Sequence, residues 1–218
     1  MKKSLLLAAL ALAAFGASAQ VTGSLGGNGG PPYATFGPDG LCSIGTPCTL
    51  TGSTNSATIG RGTVRSADNP VADIPFGTVG SFLAAGPSST DPATMTFATA
   101  MDSISFLWGS PDTYNTLTVL TTLGSVAFTT ASLGIVPTNG DQSFSQYVTF
   151  NAAPLADLVG LVFASNGTDA FEVSNFSRLE INQTGVVPEP ETYALFGAGL
   201  AALAFMQRRR KKGDLRAA

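Results

Sequence analysis

The reactive side chains of this chain are mostly carboxylates. Asp102 and Asp112 flank the stretch SISFLWGSP, and Asp157, Asp169 and Glu172 follow further along. Two carboxyl groups held about 5–9.5 Å apart across a cleft are the machinery of a glycosidase. No spacing here forces such a convergence, and aspartates in turns ordinarily serve the turn backbone. Other catalytic sets lack their members. The chain has no histidine, which removes Ser-His-Asp and Cys-His arrangements. Between Gln20 and Val186 it has no lysine, which removes a Schiff base or a lysine general base. The reading is a non-catalytic protein without cofactor or metal centre. Calcium is the one ion that loop aspartates would suit, although no D-x-D-x-D-G loop is present.

A second constellation surrounds the single tryptophan. Trp108, Asp112, Tyr114 and Asn115 lie within eight residues. An aromatic ring beside a carboxylate and an amide stacks on a sugar and bonds its hydroxyls. These four are therefore candidate glycan contacts, as in a module that binds exopolysaccharide. The opposing reading places Trp108 in the core, because its phase matches Ile104 and Phe106. Cys42 and Cys48, in CSIGTPC, are the only cysteines. A redox dithiol wants two intervening residues, and a metal centre lacks histidine partners. Outside the cytoplasm the pair reads as a disulfide closing a small loop.

The elements that would position these residues have period two. Met95 and Phe97 share one face, as do Ile104, Phe106 and Trp108, and then Leu117 and Val119. The pattern continues through GSVAFTT, SQYVTFN, LVGLVFAS and AFEVSNFSRLEI. LVGLVFAS is apolar on both faces, as a central strand would be. AFEVSNFSRLEI slips phase between Val173 and Phe176, which predicts a bulge near Ser174 and Asn175. Seven such strands predict an all-β fold, an antiparallel β-sandwich of jelly-roll-like form spanning 61–186. Residues 20–60 are rich in Gly and Pro and read as an irregular arm with one strand at 49–51, stapled by the disulfide.

Charge separates the body from the ends. Between Gln20 and Val186, three basic residues (Arg61, Arg65, Arg178) stand against eleven acidic ones, a net −8, while the whole chain carries −3. A body of that sign has no footprint for nucleic acid and is repelled by anionic lipid. It suits an exported protein that stays soluble.

The remaining basic residues flank apolar runs. Lys2 and Lys3 precede the apolar run 4–15, and Ala17-Ser18-Ala19 offers a small-x-small cleavage pattern. Residues 1–19 thus read as a signal peptide, with the Sec translocon as export partner. At the other end Val187-Pro188-Glu189-Pro190 leads into 193–206, 14 residues without a charge that include five alanines and two glycines. As a helix this run reaches about 21 Å, against a hydrocarbon core of about 30 Å. Arg208, Arg209, Arg210, Lys211 and Lys212 follow at once. Such a cluster stays cytoplasmic and orients the segment, leaving the body outside and the tail 213–218 inside.

Those three parts, in that order, resemble the PEP-CTERM sorting signal of exported bacterial proteins. The resemblance implies transient anchoring in the inner membrane and removal of the tail by the membrane enzyme exosortase near 188–190. A second resemblance covers roughly 80–182. The segment FLWGSPDTYNTL (106–117), QYVTF (146–150) and AFEV (170–173) are similar to a family of exosortase-dependent surface proteins. Many members read AFE-x-D-N where this chain has Ser174, so no ligand role of that aspartate carries over. Together these resemblances imply location and architecture more than activity; joined to the absence of catalytic constellations, they lead to the reading of a structural, non-catalytic protein of the cell surface or extracellular matrix, associated with biofilm exopolysaccharide.

Overall fold

The computed structural model of the chain describes residues 20–27, 30–87, 91–167 and 169–177. The expected signal peptide at 1–19, Val187-Pro188-Glu189-Pro190, the segment 193–206, the cluster 208–212 and the tail 213–218 all lie outside the described residues. No described helix is long and apolar enough to cross a membrane.

Strands begin earlier than expected. Residues 20–60 are not an irregular arm: they form β1 (Val21–Leu25), β2 (Thr35–Phe36), β3 (Gly40–Cys42), β4 (Cys48–Thr51) and β5 (Ser56–Ile59), of which β4 is the strand expected at 49–51. These strands are short and separated by Gly- and Pro-rich turns, so alternation over so few residues leaves little trace in the sequence. Their apolar members are nonetheless core residues, with Leu50 and Ile59 fully buried. β6 (Gly62–Arg65) and β7 (Phe82–Ala85) follow, separated by a long loop. The seven expected strands then appear in order as β8 (Ala93–Met101), β9 (Ser103–Gly109), β10 (Asn115–Thr121), β11 (Gly124–Thr129), β12 (Ser145–Ala152), β13 (Leu158–Ser165) and β14 (Phe171–Ser177). One helical turn, α1 (Thr130–Leu133), interrupts them. Thr129 caps it reciprocally with Ser132, and Gly134 closes it in the left-handed region.

The pairing is that of a jelly roll. β7 pairs β14, β8 pairs β13, β9 pairs β12 and β10 pairs β11, all antiparallel. A ribbon paired in this way folds over into two sheets, since successive strands then alternate between them. One sheet runs β1-β12-β9-β14-β7-β6-β3 and the other β11-β10-β13-β8-β5-β4-β2. The early strands extend both sheets on the β7/β8 side, and β1 extends the first beyond β12. Cys42 ends β3 in one sheet and Cys48 begins β4 in the other; their disulfide ties the two sheets together at that flank.

Between the sheets lies an aromatic core. Phe163 of β13 meets Phe106, Phe171 and Phe176 edge-on at 5.7, 5.3 and 6.4 Å. Phe106 also stacks on Phe150 and Phe176. β13 is an interior strand, as its two apolar faces predict, lying between β10 and β8. β14 carries the expected irregularity: its register against β9 shifts between Ser174 and Ser177, and Asn175 has φ 49°. Asn tolerates that region better than most residues.

Two stability outcomes follow. Phe163→Ala should cost about 3–5 kcal/mol, read from urea unfolding, because the ring bridges both sheets and leaves a cavity. Replacing Cys42 and Cys48 together with alanine should cost about 2 kcal/mol by the same measurement, the entropy of a small closed loop.

Candidate functional site

The residues 66–81 between β6 and β7 lie against the outer face of the first sheet. Their fold is local at its start. Asn69 Oδ1 accepts from the Val71 and Ala72 backbone, and Asp68 Oδ1 accepts from the Ile74 N–H at 2.7 Å. The Asx turn at Asn69 sets the Asp68-Asn69-Pro70 corner, and the Asp68 bond six residues on closes the loop behind it. Further on the segment is pinned to β14. Ala170 N–H donates to the Val71 carbonyl, Val79 N–H to Asn175 Oδ1, and Asn175 Nδ2 to the Gly77 carbonyl. The left-handed turn at Asn175 is what points that amide at the loop. Gly109 permits the close approach, since a Cβ there would sit 2.7 Å from the Pro75 ring.

Under this cover lies Glu172. Its neighbours Phe171 and Val173 face the core, so strand alternation turns Glu172 to the outer face. It is only 3 % exposed. Ser110, held at φ 29° where the chain leaves β9, donates through Oγ to Glu172 Oε2 at 2.9 Å. The backbone N–H groups of Glu172 and Asp73 also donate to the carboxyl. Burial nevertheless dominates and pushes its pKa up to about 8, with the nearby charge of Asp73 adding to the rise. Asp73 is itself raised, by burial and by Asp68 and Asp169.

Glu172 forms part of a small cavity of about 70 Å³ that Asp73, Asp112, Asp169, Ser110 and Gln142 also line. Tyr114 lies beside it. Burial, then a hydrogen bond to Asp112, raises the Tyr114 hydroxyl above the usual phenol value. Its ring packs against Gly167, where a Cβ would overlap it. The cavity is the size of one or two water molecules, too small for a sugar ring. The carboxyl that burial holds protonated there is Glu172.

The structure redistributes the candidate residues. Trp108 is fully buried and stacks on Phe171 at 4.3 Å, so it offers no face to a glycan. Asn115 is also fully buried at the start of β10. Both corrections have one cause: each side chain falls on the inward phase of its strand. The Trp108 Nε1 and both amide atoms of Asn115 have no hydrogen-bond partner among the described residues. Asp112 and Tyr114 remain half-buried at the cavity rim. Asp102 and Asp112 stand at opposite ends of β9, about 23 Å apart for a seven-residue strand, and cannot act as a pair. Asp169 and Glu172 do converge with Asp112. Asp73, which joins them, carried no sequence signal beyond its place after an Asx turn. Among the described residues, no group of three or more His, Cys, Asp or Glu side chains is placed to hold a metal ion.

Residues 186–210 match the PEP-CTERM protein-sorting motif. The match includes Val187-Pro188-Glu189-Pro190, the uncharged run and Arg208, Arg209 and Arg210. A PEP-CTERM motif marks an exported protein for exosortase. No curated protein and no solved structure matches the chain.

The buried carboxyl has a measurable consequence. Glu172 keeps its proton in the folded state up to about pH 8, while in the unfolded chain it releases it near 4.5. Its contribution is therefore whole below the unfolded value and is lost as pH rises through about 8. The thermal midpoint of the native protein should fall across that window, and Glu172→Gln, which stays neutral, should flatten the fall. An equally steep profile in the variant would remove Glu172 as its cause.

Proposed function

We propose that this chain is an exported, non-catalytic structural protein of the cell surface or extracellular matrix, associated with exopolysaccharide and released by exosortase. The observation that carries the reading is the PEP-CTERM motif at 186–210. The chemistry of the tail supports it. An uncharged run of 14 residues rich in alanine holds the inner membrane only weakly, and five adjacent positive charges keep its far end cytoplasmic. Pro188 and Pro190 keep the approach extended, the backbone shape that a protease cleft accepts.

The body supports the same reading. A jelly roll with a cross-sheet disulfide withstands an oxidising exterior, and its net −8 between Gln20 and Val186 favours solubility once released. The carboxylates that do converge surround a cavity too small for a saccharide substrate.

Intact mass spectrometry of each cell fraction and of the medium tests the reading. The outer fraction or medium should hold a species lacking residues 1–19 and everything beyond the region of Pro188-Glu189-Pro190. Changing Pro188, Glu189 and Pro190 together to alanine should leave the uncut protein in the inner membrane. Full-length native protein residing there permanently would defeat the proposal.

A further inference from the structure

β11 is the open edge of its sheet, and its chemistry selects a second copy of this chain as the partner. It pairs only with β10, through six consecutive residues from Thr116↔Thr129 to Thr121↔Gly124. The hairpin has the two-residue loop Thr122-Leu123. In such a hairpin the closing pair, Thr121 and Gly124, is hydrogen-bonded, and bonded pairs then recur at every second residue. Gly124, Val126 and Phe128 therefore spend their backbone groups on β10. Ser125 and Ala127 direct theirs away from the sheet, and both residues are exposed.

Among the described residues no charge, proline or bulge interrupts this edge, and Gln20 meets only its turn, donating to the Leu123 carbonyl. Sheet edges are ordinarily blunted by charge, proline, bulges or brevity. On the far flank brevity suffices, because β2 has two residues and β3 three. β11 has six, with a regular register and neither charge nor proline. Residues 113–140 contain no Asp, Glu, Lys or Arg, and the exposed Asp157 meets this hairpin only at its tip, through Thr122. In a body of net −8 the strand itself therefore brings no charge to a second copy. Leu123 and Val136, at the two ends of the β11–α1 segment, expose 59 % and 79 % of their surface.

Self-complementarity decides the occupant. We propose that β11 pairs antiparallel with β11 of a second copy about a twofold axis at Val126, joining the two sheets into one. In that register Ser125 of one copy faces Ala127 of the other, and the four outward N–H and C=O pairs are exchanged. On the inner row Val126 meets Val126, and Phe128 lies opposite Gly124, beside which the Gln20 amide sits. Val126 and Phe128 are now only partly buried against the core, and pairing completes their cover.

Single cysteines test it, because Cys42 and Cys48 are bonded to each other and no thiol is free. Residue 126 is a non-hydrogen-bonded pair across the axis, with Cα atoms about 4.5 Å apart, within disulfide reach. Full-length protein in mild detergent carrying Val126→Cys should oxidise to a covalent dimer. Ser125→Cys and Ala127→Cys, whose copies lie on opposite sides of the axis, should crosslink at least ~5-fold less, since their Cα atoms exceed about 7 Å. Adding Ala127→Pro to Val126→Cys removes an outward N–H but no bond to β10, and should cut crosslinking by a similar factor with the tryptophan emission unchanged. No crosslink at 126, or equal yields at all three positions, would overturn the proposal. If the proline variant unfolds, the comparison of the three cysteines still decides.

Discussion

Phe163 is the contact through which the two sheets become one body. It is the aromatic of an interior strand, and it reaches Phe106, Phe171 and Phe176 on the opposite sheet. Edge-to-face geometry gives each pair somewhat more than its buried area alone. The jelly-roll ribbon decides which residues meet there. Because β8 pairs β13 while β9 pairs β12 and β7 pairs β14, successive strands place their inward aromatics alternately above and below one plane. Trp108, stacked on Phe171, continues that plane to the end of the sandwich where β9 turns away.

That same end holds the carboxylates, and the core accounts for their position. Once Phe171 and Val173 are committed inward, Glu172 has only the outer face to occupy. On an ordinary surface strand it would be solvated and ionised. Here 66–81 lies across it, held by Asn69, Asn175 and the close approach at Gly109. A buried carboxyl beside Asp73 and Asp169 lowers its free energy by keeping a proton. Ser110 and two backbone N–H groups then satisfy a group that neither charge nor solvent can. The cluster is a consequence of covering a strand whose outer residues are polar.

Charge is distributed unevenly along the chain: basic residues concentrate at the two ends and nearly vanish between them. The acidic body is left with one long neutral stretch, 113–140, which becomes β10, β11 and α1. Along β10 that neutrality serves the core, where Leu117 and Val119 are fully buried, while on β11 Ser125 and Ala127 face solvent.

What the sequence determined by itself was everything carried by short-range pattern. The period-two strands from Ala93 onward, the interior character of LVGLVFAS and the bulge at Ser174-Asn175 follow from side-chain alternation, which needs no partner to be visible. The sorting motif is equally local, a turn, an oily run and a basic cluster in fixed order. Tertiary structure alone decided the rest. β1, β2, β3 and β5 exist because neighbouring strands offer them hydrogen bonds, and segments of two to five residues have too little pattern to announce that. Trp108 and Asn115 went inside because a strand's phase outranks the chemistry its side chains advertise. Asp73 reached Glu172 only by way of the segment across the sheet, a contact between residues about a hundred positions apart that no local spacing encodes.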